Sequence, residues 1–151
     1  MVERLCLAGE RVAVVVGKAG AGKTFALAAA REAWHATDRA VLGVEVARRA
    51  ANQLQADAGI ASTSVAALVA DLDRPGGGLA AGAVLVVDEA GMIATRQLAK
   101  LLDAIEQADG KLVLVGDHRQ LPELEAGGAF RALVHRGLAV ELTENRRQRE
   151  A

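Results

Sequence analysis

Tyrosine is absent from this chain, and cysteine, tryptophan and proline are scarce: one Cys, one Trp and two Pro in 151 residues. Cys6 alone gives no disulfide framework within the chain and no cysteine cluster for zinc, so a reducing compartment is expected. His35, His118 and His135 are not at metal-ligand spacing. With only two Phe, a core has to be aliphatic, built from the alanine and valine that dominate a 52% hydrophobic composition. A net charge of −1 and a pI near 6.3 exert no bulk pull on nucleic acid. Any DNA would be met through a local basic patch. No apolar run approaches the roughly 18 residues of a membrane span. The opening "MVERLCLAGERVAVVVG" carries charges where a signal peptide needs an unbroken apolar stretch, and it reads as running straight into a strand. The expectation is a cytoplasmic protein with no membrane partner. Residues 1–151 are enough for one domain with its own core.

What is abundant is the β-branched residue, and it comes in five short runs: Arg11 to Val16, Val41 to Val46, Val84 to Val87, Lys111 to Val115 and Leu138 to Leu142. The first four are nearly continuous in apolar residues, as strands buried on both faces are. Helical stretches separate them. In "TRQLAKLLDAIEQADG", Leu98, Leu101, Leu102 and Ile105 fall on one face, and Asp109-Gly110 supplies the following turn. Lys23 to His35 and Arg48 to Ala58 read as helices, the second stopped by Gly59. Phe25 and Phe130 read as core, and Trp34 as packing on its helix. "DRPGGGLAAG" is the Gly-rich loop between elements, and no internal repeat is visible. Strands alternating with helices predict a mostly parallel sheet covered on both faces, with ligands met at the carboxyl ends of its strands.

After the first strand comes "GKAGAGKT": Gly17, Lys18, Ala19, Gly20, Ala21, Gly22, Lys23 and Thr24. This is G-x-x-x-x-G-K-T between a strand and a helix. Its glycines let successive N–H groups turn inward around phosphate oxygens, and the helix dipole adds positive potential. Lys23 brings a point charge to the β- and γ-phosphates, and Thr24 a hydroxyl for Mg²⁺. The pattern predicts a nucleoside triphosphate site. In such proteins a later strand ends in an aspartate that holds Mg²⁺, and the run "VLVVDEAGM" offers Asp88. Glu89 then has the place of a base that orients and deprotonates the water attacking the γ-phosphate, which favours hydrolysis over transfer to an acceptor. The next strand ends "VLVGDHRQLPEL", where Gln120 is positioned to hydrogen-bond the γ-phosphate or that water, and Asp117 to hold the loop.

The P-loop, "DEAGM", "GDHRQLP" and "LTENRRQ", in this order and spacing, resemble motifs I, II, III and IV of a superfamily 1 DNA helicase. The likeness is to the RecD-like branch, including the helicase part of MobF-type conjugative relaxases, and covers Arg11 to Gln148. It implies a three-layer α/β RecA-like domain with a five-stranded sheet in the order 5-1-4-3-2, numbered by chain position. It implies ATP hydrolysis with Mg²⁺ between this domain and a second one, and movement on single-stranded DNA. Residue by residue, Lys23 and Thr24 match the Walker A lysine and hydroxyl, Asp88 the metal ligand, Glu89 the base, and Gln120 the γ-phosphate sensor. Arg147 matches the motif IV arginine that neutralises charge on the transferred phosphoryl, with Arg146 its neighbour and rival. A tyrosine nucleophile, as a relaxase nuclease requires, is not in this chain.

There are departures. Where the wider family often has Pro-Thr-Gly after the second strand, this chain has Val46-Ala47-Arg48, with Arg48 or Arg49 as possible charged replacements. Thr63 and Ser64 fall where the family has another DNA-contacting stretch, though hydroxyls before a helix also serve as caps. Gly91 stands where many relatives have Ser. The family's adenine-reading glutamine would precede Met1, and motifs V and VI would follow Ala151, so the chain reads as a fragment of a larger helicase. Two further readings stay open: a stand-alone ATPase switch acting on a protein partner, and a nucleotide-binding fragment without turnover.

Overall fold

The computed structural model describes residues 1–18, 21–46, 54–117, 128–136 and 139–142. Among these, six strands form one parallel sheet: β1 Val12–Gly17, β2 Val41–Glu45, β3 Ser62–Ser64, β4 Val84–Val87, β5 Lys111–Gly116 and β6 Ala139–Leu142. The order across the sheet is β3-β2-β4-β5-β1-β6. Without β3, this is the order expected from the sequence. The expected count of five needs correction, because Ser62–Ser64 adds a short strand beside β2, pairing Gly43 with Ser62 and Glu45 with Ser64. Three hydroxyl-bearing residues have neither the length nor the apolar pattern of a strand. What makes them a strand is parallel pairing with β2, at a place where glycine leaves room: a Cβ on Gly43 would lie 2.2 Å from Ser62 Oγ and 2.8 Å from Leu54 Cδ2.

Helices cover both faces. Alternation along the strands sends Val14, Val16, Leu85, Val87, Leu112 and Leu114 to one side. There they meet α4 Val65–Leu72, α5 Thr95–Gln107 and α6 Gly128–His135, through Leu68, Leu101, Ile105 and Phe130 among others. Ala13, Val15, Val84, Val86, Val113 and Val115 face the other side. That side is covered by α1 Val2–Leu7, α2 Lys23–His35 and α3, which is described over 54–58. Leu5, Leu27, Ala30, Trp34 and Leu54 fill this second core. The result is a three-layer α/β domain.

Several readings change. The chain does not run straight from its start into a strand: α1 comes first, with Leu5 buried in the α2 side of the core. Arg11 lies before β1 rather than in it, its guanidinium on Asp109 at 2.9 Å. Val46 follows β2 and is exposed. Leu102 is 37% exposed and only Leu98, Leu101 and Ile105 of its helix are buried. Phe25 is not core: α2 buries Ala26, Leu27, Ala30 and Trp34, and Phe25, on the opposite side of the helix, is 69% exposed. Trp34, 2% exposed, is packing as expected. Gly59 closes α3 with φ +67°, and Asp109 makes the turn after α5 with φ +49°. Ser64 caps α4, its Oγ accepting from the Ala67 N–H at 3.2 Å.

The amino ends of the strands are tied together by side chains. Lys111, 3% exposed, donates from Nζ to the Ala8 carbonyl at 2.9 Å, and burial pushes its pKa down. Arg39 Nε donates to the Gly82 carbonyl at 2.8 Å, while Arg11 spans from β1 to the turn before β5.

Candidate active site

The carboxyl end of β1 leads into the P-loop. Gly17 closes the strand, level with Leu142 of β6, and a Cβ there would sit 3.1 Å from Leu142 Cβ. Ala21 N–H donates to the Lys18 carbonyl at 3.1 Å, which tightens the loop, and Gly22 caps α2 in the left-handed region with φ 80°. A side chain at Gly22 would be strained, which accounts for a glycine where the chain turns into the helix. Lys23 opens α2 and folds back, its Nζ donating to the Gly17 carbonyl at 2.8 Å. Thr24, the next residue, is exposed at the head of the helix. Ala19 and Gly20 lie outside the described residues.

β4 ends two strands away from β1, with β5 between them. Neighbouring strands are about 4.8 Å apart, so β1 and β4 lie about 10 Å from one another. Asp88 follows β4, its N–H donating to the Val44 carbonyl at 3.1 Å. Its Oδ1 accepts from the Glu89 N–H at 2.8 Å, which fixes one carboxylate oxygen and leaves the other. Glu89 is exposed and sits in the left-handed region, φ 50° and ψ 40°, ahead of the 3₁₀ turn Ala90–Met92. That conformation is unusual for a residue with a Cβ and turns the chain sharply at the strand end. Ala90 and Gly91 are buried there, and α6 packs against this turn. β5 ends in Gly116, where an added Cβ would lie 2.8 Å from the Phe130 ring, and Asp117 follows it. Gln120, Arg146 and Arg147 lie outside the described residues, as do Arg48, Arg49 and His118.

The structure adds one residue that the sequence reading did not use. Glu45 ends β2 and is 2% exposed. Val44 pairs with Val87, so Glu45 is the lateral neighbour of Asp88. Val44 and Val87 both face the α4–α6 side, so by alternation Glu45 and Asp88 both face the α2 side. Burial, and then the repulsion of Asp88 and Glu89, push the Glu45 pKa up to about 8. A carboxylate closing the otherwise apolar run "VLGVE" was the available signal.

The Thr24 hydroxyl, at the head of the helix that follows β1, and the Asp88 carboxylate, just after β4, are oxygen donors of the hard type that Mg²⁺ takes. Among the described residues no group of three His, Cys, Asp or Glu side chains converges to hold a metal ion, so a cation here would draw its remaining ligands from elsewhere. No helix among the described residues is long and apolar enough to cross a membrane.

The chain is similar in sequence to several known proteins. A conjugal transfer protein TraA of Agrobacterium fabrum is 46% identical over 146 residues, which are 96% of this chain and 13% of that protein. A probable conjugal transfer protein TraA of Sinorhizobium fredii is 45% identical over 93% of this chain and 13% of its own length. The RecBCD enzyme subunit RecD of Mycolicibacterium smegmatis is 42% identical over 67 residues, 42% of this chain and 12% of that subunit. This chain thus spans about an eighth of the length of these relatives. In fold it is similar to the crystal structure of a DNA replication initiation factor, with a TM-score of 0.53 and 14% identity over 93% of this chain and 42% of that one. These likenesses support a RecA-like, helicase-type ATPase domain. The family model described as an AAA domain matches residues 1–151, and the chain belongs to that family.

Proposed function

We propose that this chain binds and hydrolyses ATP as the first motor domain of a superfamily 1 DNA helicase of the RecD-like branch. The observation that carries the reading is that the P-loop end of β1 and the Asp88-Glu89 end of β4 stand on the same rim of the sheet with only β5 between them. The P-loop amides hold the phosphates, and Lys23 exchanges the Gly17 carbonyl for a phosphate oxygen. Thr24 and Asp88 would hold Mg²⁺, which would supply positive charge to offset that of the phosphates. Glu89, held apart from Asp88 by its own backbone turn, accepts a proton from the attacking water. Gln120 contacts the γ-phosphate, and Arg147 offsets charge on the transferred group. Single-stranded DNA and a second RecA-like domain are the partners this reading requires. The TraA and RecD names of the relatives favour a role in DNA transfer or repair.

Steady-state ATP hydrolysis by the chain, with Mg²⁺ and with or without single-stranded DNA, tests the proposal. Turnover that rises with DNA is the expected result. DNA-independent turnover would favour a switch acting on a protein partner. Nucleotide binding without turnover would mean that groups beyond residues 1–151 complete the site, and no binding at all would overturn the reading.

A further inference from the structure

Glu45 has no obvious structural task. Its side chain is buried, yet it makes no hydrogen bond or ion pair with any described residue. A carboxyl group so withdrawn from water takes its charged form at neutral pH only when something charged or strongly donating meets it. Its lateral neighbour is Asp88, on the same face of the sheet, and Glu89 is near enough to repel it. All three acids crowd one corner of the rim, and no described cation lies among them in an ion pair.

We infer that Glu45 is an outer carboxylate of the cation site, accepting hydrogen bonds from the water shell of a divalent cation held at Asp88. The inference rests on the nucleotide reading above and deepens it. A direct ligand is not implied, since no three acids converge closely enough to share one ion. A small hard cation keeps several of its waters, and those waters are strong donors in want of acceptors. Carboxylates at one water's remove orient such a shell, and losing one costs roughly 10–100-fold in metal affinity. Glu45 is therefore a positioning residue that acts through the cation and does not touch the phosphates.

The test uses Mn²⁺ as the probe cation. The chain is saturated with ADP, free Mn²⁺ is followed by electron paramagnetic resonance, and ADP affinity is measured separately in EDTA. Glu45→Ala is expected to weaken Mn²⁺ by roughly 10–100-fold. Glu45→Gln, which keeps an oxygen acceptor and loses the charge, should weaken it less. Cation-free ADP affinity should hold in both, because Glu45 does not touch the phosphates and, without a cation, keeps its proton up to a pH of about 8. Wild-type Mn²⁺ affinity in both variants would overturn the inference and leave the nucleotide reading standing. An equal loss of ADP affinity in EDTA would also overturn it, by showing a general collapse of the site. A wild-type chain that binds neither ADP nor Mn²⁺ would remove both readings together.

Discussion

Lys23 Nζ donates to the carbonyl of Gly17, six residues earlier, at 2.8 Å. The bond stretches the P-loop lysine back over the loop it belongs to, so a nucleotide has to compete for the ammonium with a backbone carbonyl. A charge-assisted hydrogen bond is worth about 1.5–3 kcal/mol, or roughly ten- to a hundredfold in affinity. Lys23→Ala is expected to weaken ADP binding by that factor in calorimetric titration. Its thermal midpoint should move by only a few degrees, because the lost bond lies in a loop. A variant that binds ADP like the wild type would sink the assignment of Lys23.

Glu89 separates chemistry from binding. Glu89→Gln is expected to keep ADP affinity and lower turnover by about 10²–10⁴, the usual worth of a positioned base. The backbone adds a second expectation, since φ is 50° there. Glu89→Val should be destabilised by about 1–2 kcal/mol through its branched Cβ, while Glu89→Gly should unfold at the wild-type urea concentration or above. If Val and Gly behave alike, the left-handed turn is not the constraint at this position.

Glu45 makes the fold sensitive to pH in a direction that follows from its raised pKa of about 8, against an ordinary value of 4.5. Between those values the folded chain holds a proton that the unfolded chain releases. Stability attributable to this group is therefore greatest below the lower value and falls as pH rises toward about 8, after which the loss is complete. The slope is at most about 1.4 kcal/mol per pH unit. Urea unfolding at several pH values between the two should show that decline in the wild type and a flatter profile in Glu45→Gln. Parallel profiles would mean the carboxyl is better solvated than its burial implies.

Gly43→Ala probes the edge of the sheet. The added methyl would meet Ser62 Oγ and Leu54 at once, so β3 or α3 has to move. A cost of about 1–3 kcal/mol in urea unfolding is expected. Ser62→Ala beside it should recover only part, because Leu54 remains in the way. An unchanged unfolding midpoint for Gly43→Ala would show that β3 is too loosely held to resist.

The sequence made the central strands legible because each is an apolar run with nowhere to go but between two layers of helix. β1, β4 and β5 start or end within a residue of where the valines do. The P-loop and the Asp88-Glu89 pair were legible for a different reason: their chemistry dictates residue type at fixed spacing. Ser62–Ser64 was not, since its strand character comes from backbone pairing with β2 beside Gly43 and not from its own side chains. Phe25 misled because hydrophobicity says only that burial is favourable, while the helix phase, set by Ala26, Leu27 and Ala30, decides which side is available. Glu45 went unused because a single acid at a strand end looks like a solvated turn until the register sets it beside Asp88.

Lys111 on Ala8, Arg39 on Gly82 and Arg11 on Asp109 all fasten the amino rim of the sheet, while the P-loop, Asp88 and Glu45 stand at the opposite rim. The molecule is thereby polarised, with side-chain ties between strands gathered at one rim and the groups of the candidate site at the other. Loss of one of the amino-rim ties should give a protein that melts earlier yet works while folded, whereas loss of the Lys23 ammonium should give one that melts almost normally and binds nucleotide poorly.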